Sequence, residues 1–314
     1  MIQYIVILLD DTSTSFCHYT NEKADRRLIP LQTLKDGICY AMKENLNIQF
    51  VYPNYKLPKE YLAAIDSIDH TDIYPAEMSD NADVVVFDSL IAAKDYVFKE
   101  NVAYLIRTDK VSLFNEYKII EEILDKVTRL NVVITDIETF TEDDFVAYKS
   151  LLSNLAERVE QIYVSGKLPQ LNLLTDRIML EKMNNCGAGD TSVTLAPDGK
   201  FYVCPAFYLS ADGYTIGDMV NGLEIKNSQL YRLDHAPLCR RCDAWQCKRC
   251  IWMNRKTTLE VNTPSHEQCV VAHLERNASR KLLIDIRKHG KFMSGSEDIK
   301  EIDYLDPFDV KEEW

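Results

Sequence analysis

Short apolar runs alternate along the first half of the chain with segments in which apolar residues recur three and four positions apart. Tyr4 to Leu9 is an apolar run closed by Asp10 and Asp11, the pattern of a strand buried on both faces of a parallel sheet. Leu31, Leu34, Ile38, Ala41 and Met42 then mark one face of a helix. The alternation continues with strands predicted at Ile48 to Tyr52, Asp83 to Phe87, Ala103 to Ile106 and Asn131 to Ile137. Between and after them, helices are predicted at Lys59 to Ile68, Ile91 to Phe98, Leu113 to Val127 and Glu142 to Val164. Thr141 is the N-cap of the last helix, and Glu142, Asp143 and Asp144 suit the positive end of its dipole. Strand and helix in strict alternation predict an α/β fold: a parallel sheet or an incomplete (β/α) barrel with helices outside.

The texture changes after Gly166-Lys167-Leu168-Pro169, where glycine, proline and cysteine become frequent. We divide the chain into an α/β, incomplete barrel-like domain (1–170), a small cysteine-rich α+β domain (171–290) and an acidic tail (291–314). Within the second part, Val193 to Ala196, the turn residues Pro197-Asp198-Gly199, and Phe201 to Val203 predict a β-hairpin. Asp212-Gly213 starts a further turn, Glu267 to Lys288 is helical, and Phe308 and Trp314 are the residues able to dock the tail.

Charge narrows the function. A formal net charge of -13 and a pI near 5.0 exclude a general nucleic-acid binder, because phosphate binding needs a basic surface. No apolar run approaches the length of a membrane span, and no basic segment precedes the first apolar run, so a cytoplasmic protein is expected. Of nine cysteines, Cys17 and Cys39 stand alone early; Cys186, Cys204, Cys239, Cys242, Cys247, Cys250 and Cys269 cluster late. In a reducing compartment, clustered thiols point to metal ligation rather than disulfides.

Cys239-Arg-Arg-Cys242-Asp-Ala-Trp-Gln-Cys247-Lys-Arg-Cys250 is the densest element. Two-residue spacers turn paired thiolates toward one inorganic centre, in zinc and iron-sulfur sites alike. Zinc ribbons separate their pairs by roughly 15 to 20 residues, whereas only Asp243 to Gln246 intervene here. A cubane presents its irons at separate corners and accepts crowded ligands more readily, and a dense run can serve two clusters. Zinc remains the alternative. Cys186 and Cys204 flank the predicted hairpin, whose closure brings them together. Arg240, Arg241, Lys248, Arg249, Arg255 and Lys256, opposed only by Asp243, supply positive charge for an anionic cluster.

Cys186, Gly199, Cys204, the dense run and Cys269 together resemble the SPASM pattern of auxiliary-cluster domains attached to radical S-adenosylmethionine peptide maturases. The resemblance implies one 4Fe-4S cluster on Cys186, Cys204 and Cys250 and a second on Cys239, Cys242, Cys247 and Cys269. The first is left one ligand short, open to a substrate thiol, water or another side chain. The run is spaced two, four and two residues where the family commonly has two, five and three. Ile7 to Tyr19, Cys186-Gly-Ala-Gly189 and Gln246 to Cys250 also resemble the CXXX-repeat peptide maturases. That likeness implies maturation of a small cysteine-containing peptide beside a partner radical S-adenosylmethionine enzyme. The radical enzymes' own cluster needs three cysteines spaced by three and two residues, and Cys17 has no such companions. The first domain therefore reads as a degenerate relative of the radical barrel. Two other readings stay open: a structural zinc module that binds a peptide or protein, and a stand-alone radical enzyme with an atypical cluster on Cys239, Cys242 and Cys247.

No catalytic residue is singled out. Beside His18, Cys17 reads as a plain thiol, and Cys39 reads as core with Leu34, Ile38 and Met42. Asp10, Asp11, Asp136 and Glu138 end strands, where α/β proteins place ligands, but carboxylates there more often form turns or caps. His266 and His235 are candidates for the missing ligand but read as polar loop residues, and Trp245 reads as a hydrophobic cover over a cluster.

Overall fold

The computed structural model describes residues 1–210, 213–302 and 304–307. Its frame is a nine-stranded sheet in the order β7-β6-β5-β4-β3-β2-β1-β8-β9. The strands are β1 (Tyr4–Leu8), β2 (Asn47–Val51), β3 (Thr71–Pro75), β4 (Val84–Phe87), β5 (Ala103–Thr108), β6 (Arg129–Ile134), β7 (Gln170–Leu171), β8 (Ser192–Leu195) and β9 (Phe201–Tyr202). All neighbours are parallel except β8 and β9, which form the predicted hairpin with Thr194 opposite Tyr202 and Leu195 opposite Phe201. A second, two-stranded sheet pairs β10 (Gly217–Asp218) with β11 (Gly222–Leu223).

Helices α1 (Leu31–Lys43), α2 (Lys59–Ile65), α3 (Leu90–Lys94), α4 (Lys110–Glu116), α5 (Lys118–Leu124) and α6 (Glu142–Val164) connect the parallel strands. Beyond β7 come α7 (Asp176–Met179), α8 (Pro205–Leu209), α9 (Ile251–Thr258) and α10 (His266–Arg287). β1 is an interior strand, with Tyr4 aligned on Asn47 of β2 and on Ser192 of β8, and Ile5 to Leu8 are buried, as a run apolar on both faces requires. Strands from beyond residue 170 thus complete the sheet begun at the N-terminus. Gly37 lets α1 lie against this part of the sheet, since a Cβ there would stand 2.4 Å from Leu195.

Thr141 caps α6 in a reciprocal capping box with Asp144, and that helix has the predicted bounds. Three expectations are corrected. The single helix at Leu113 to Val127 is two, α4 and α5, meeting at Tyr117. β3 was not foreseen, because its polar Thr71 and Asp72 and its Pro75 hide a strand that buries only Ile73 and Pro75. Cys39 is exposed, as is Met42, because the inward stripe of α1 is Leu34, Gly37, Ile38 and Ala41. The tail is anchored through buried Ile299 and Asp306, whereas Phe308 and Trp314 lie outside the described residues, as does Asp212. Among the described residues no helix is long and apolar enough to cross a membrane.

A four-thiol cavity and a second thiol cluster

The dense run folds as a short 3-10 turn at Cys239–Arg241, an irregular loop and the start of α9, over one face of α10. Its cysteines part company. Cys239, Cys242 and Cys247 line a cavity together with Cys269 from the first turn of α10, whereas Cys250 is not part of that lining and lies near Cys186. Backbone N–H groups two residues on reach two of the sulfurs: Ala244 N donates to Cys242 Sγ and Arg249 N to Cys247 Sγ, each at 3.4 Å. Such bonds favour thiolate over thiol. Burial opposes them, pushing Cys239 up to about 11 and Cys242, Cys247 and Cys269 above the ordinary thiol value.

One cation is buried in this cavity without compensation. The Arg249 side chain is 3% exposed and lines the cavity. One of its terminal nitrogens donates to the Tyr231 carbonyl, but Nε and Nη1 have no hydrogen-bond partner among the described residues. A buried guanidinium with idle donors costs several kcal/mol, on the order of 3 or more, unless an anion meets it. The other local arginines are paired with a carboxylate, although Arg177 Nε also lacks a hydrogen-bond partner among the described residues. Arg276, fully buried, clamps Asp243 through Nε (2.9 Å) and Nη2 (2.7 Å), and Arg177 adds a third contact at 3.3 Å. Burial raises the Asp243 carboxyl, but these bonds and charges hold it below its ordinary value. The Trp245 ring lies 3.9 Å beneath the Arg177 guanidinium.

α10 supplies the facing wall with Gln268, Cys269, Ala272 and, four residues after Cys269, His273, while Arg276 a further turn along holds Asp243. His273 Nδ1 is 3.0 Å from the Cys269 carbonyl, and Nε2 is 3.6 Å from Cys242 Sγ. The sequence reading passed over His273 and Arg276, although their spacing from Cys269 was the available signal.

Elsewhere, burial first and then the nearby Cys250 and Cys186 raise the pKa of Cys204, and burial first and then Cys186 raise that of Cys250, so these three thiols lie near one another. Cys250 opens α9, where the N–H groups of Trp252 and Met253 offset burial in part, leaving its thiol at about 12. Cys204 opens α8. Gly187 and Gly189 take positive φ (+70° and +77°), turning the segment behind Cys186, whose N–H donates to the Lys248 carbonyl at 3.1 Å. Cys17 belongs with these three: burial first, then Cys250 and Cys186, raise its pKa. Cys17 is a half-buried free thiol, as the plain-thiol reading has it, but folding brings it near other thiols. Tyr19, buried beside it, feels the charge of Cys17 and Cys204, and its hydroxyl has no partner among the described residues.

The remaining candidates have ordinary tasks. Asp10 accepts from Thr12 N (2.8 Å) and the Tyr55 hydroxyl (2.8 Å), and Asp11 accepts from the Tyr208 hydroxyl, so both are buried loop braces rather than solvated turns. Asp136 accepts from Lys110 N at the start of α4, and Glu138 pairs with Lys256. His266 is hydrogen-bonded to Asp306 and lies 3.9 Å from Glu142, so both its ring nitrogens are engaged away from the thiols. His235 is exposed on a 3-10 turn, and His18, half-buried, faces the Ile134 carbonyl at 2.8 Å.

Among the described residues no three His, Cys, Asp or Glu side chains converge as a single ion requires. The four thiols line one cavity together with Arg249, a donor set whose chemistry would suit an anionic, thiolate-ligated group. The idle Nε and Nη1 of Arg249 would donate to acceptors of such a group. The loop after β1, by contrast, carries one cysteine and does not fit the three-cysteine cluster that binds S-adenosylmethionine in radical enzymes.

No protein-family model and no curated protein matches this sequence. Among solved structures, the chain is similar to anSMEcpe with bound AdoMet, at 12% identity and a TM-score of 0.61 over 93% of this chain and 97% of that one. It is similar to anSMEcpe with bound AdoMet and the Cp18Cys peptide, at 14% identity and 0.59 over 90% and 99%. A looser likeness, 12% identity and 0.44 over 86% and 73%, is to Streptococcus suis SuiB bound to precursor peptide SuiA. At these identities the likeness is one of fold: the mostly parallel α/β sheet of this chain matches the fold of anSMEcpe.

Proposed function

We propose that this chain is an iron-sulfur protein of the SPASM type that acts in the maturation of a ribosomally made, cysteine-containing peptide. It works with a separate radical S-adenosylmethionine enzyme in the cytoplasm. Residues 171–290 form the cluster-bearing unit, with Cys239, Cys242, Cys247 and Cys269 as one ligand set and Cys186, Cys204 and Cys250 as the core of the other. The observation that carries this reading is the uncompensated Arg249 guanidinium in the four-thiol cavity, a cation whose burial makes sense opposite a bound anion. When bound, such clusters supply one-electron transfer or an iron site for a thiol.

The chain's own residues prepare both places. Ala244 N and Arg249 N point at ligand sulfurs, the Arg276–Asp243–Arg177 triad pins the loop that carries Cys242, and α10 presents Cys269 on a rigid element. A peptide substrate is supported by the fold shared with anSMEcpe, a protein solved with the Cp18Cys peptide. The lone cysteine of the β1 loop supports a helper that leaves radical generation to another chain.

Anaerobic reconstitution with iron and sulfide tests the cluster assignment. About eight irons per chain are expected for two cubanes, and uptake of zinc with no iron would end the reading. Calorimetric titration with a synthetic peptide of regularly spaced cysteines tests the substrate, which is expected to bind the cluster-loaded protein.

A further inference from the structure

Cys17 sits in the first domain, far along the chain from the cysteines it meets, and its position is fixed from several directions. Arg107 of β5, itself buried, donates from Nε to the Cys17 carbonyl at 3.1 Å and from Nη2 to the Tyr19 carbonyl at 2.6 Å, locking the loop between them. Tyr19 meets Trp252 edge to face, with ring centroids 6.5 Å apart. Trp252, two residues beyond Cys250, donates through Nε1 to Ser210 Oγ at the end of α8, the helix that Cys204 opens, at 3.2 Å. Cys186 is tied to the same region through its bond to the Lys248 carbonyl. A chain of specific contacts therefore joins the segments bearing Cys17, Cys250, Cys204 and Cys186. The four thiols lie within reach of one another's charge, with Arg107 and Lys248 as the cations acting on Cys17.

We propose that Cys17 is the fourth thiolate ligand of the cluster held by Cys186, Cys204 and Cys250, which is thereby coordinatively closed. This rests on the iron-sulfur reading above and changes its content. A position otherwise open to a substrate thiol or water is filled by the protein's own sulfur, so the cluster anchors the β1 loop to the cysteine-rich segment and relays electrons without binding the peptide. Each of the four thiols gives up its proton to solvent on ligation, and no oxidant or reductant is consumed. The same assignment explains why the β1 loop cannot carry a second cluster, since its lone cysteine is committed elsewhere.

The test compares reconstituted wild type with Cys17→Ala and Cys17→Ser by iron content, Mössbauer and electron paramagnetic resonance spectroscopy, before and after adding 2-mercaptoethanol. Two closed cubanes are expected in wild type, with no spectral response to the thiol. Cys17→Ala is expected to lose about one iron from one cluster, giving a three-iron signal, and to respond to the thiol. Cys17→Ser, which retains an oxygen ligand and a side chain of similar size, is expected to keep the iron with a shifted spectrum. Wild type with two clusters that already responds to 2-mercaptoethanol, or a Cys17→Ser protein spectroscopically identical to wild type, overturns the proposal while the iron-sulfur reading stands. Wild type without iron overturns that reading itself.

Discussion

Arg249 lies against Cys239 in the four-thiol cavity: burial pushes the thiol up to about 11, and the guanidinium beside it pulls the other way. A cation placed to favour thiolate, with two donor nitrogens idle, is an unstable arrangement unless the cavity holds negative charge. Replacing Arg249 with methionine should therefore act in opposite directions on the two forms of the protein. The cluster-free variant is expected to have a urea midpoint equal to or higher than wild type, and the reconstituted variant to hold about four irons instead of about eight. A variant that is destabilised without cluster and still fully loaded would show that Arg249 is a structural residue only.

Glu275 makes stability depend on pH. Its carboxyl is buried beneath α6, receives the Tyr148 hydroxyl at 2.8 Å and a longer bond from Gln246 at 3.3 Å, and is raised from 4.5 to about 7 because burial outweighs those bonds. Between pH 4.5 and about 7 the folded protein holds a proton that the unfolded chain releases. Stability therefore falls as pH rises through that window, by roughly 3 kcal/mol once it is crossed. Glu275→Gln should flatten this slope and be the more stable protein at alkaline pH. Urea unfolding of the cluster-free proteins at mildly acidic and mildly alkaline pH checks it, and parallel profiles for the two would contradict it.

Asp243 neutralises two buried arginines, and Asp243→Ala leaves both unpaired. Loss of roughly 3 kcal/mol or more is expected in urea unfolding of the cluster-free protein, together with loosened packing of Cys242 and Trp245. The exposed pair Arg232 and Asp234 is the control: Asp234→Ala should leave the midpoint unchanged.

How much of this was legible in the sequence varied with how local the cause was. α6 was readable to the residue because Thr141 and Asp144 close a capping box and its apolar positions keep the helical period. The hairpin of β8 and β9 was readable from Pro197-Asp198-Gly199, and Gly199 takes the positive φ (+80°) that such a turn needs. That β8 pairs with β1, drawing the late cysteines up to the early loop, has no local signature. For that reason Cys17 could be seen only as an isolated thiol. Arg249 was visible as one of six basic residues near the run, but not as the one that folding buries. Cys39 and Met42 show the opposite error, apolar residues placed in the core by a stripe drawn one position too wide.

The division of the seven late cysteines into two sets is the centre of this account, and single substitutions on either side of the dense run test it most directly. Iron and sulfide counts on anaerobically reconstituted Cys247→Ala and Cys250→Ala, with Mössbauer spectra of each, should show the two variants losing different clusters, each with about four irons remaining, and the double variant losing both. If the two variants lose the same signal, or if the wild-type protein takes up only zinc, these thiols do not form two cluster sites.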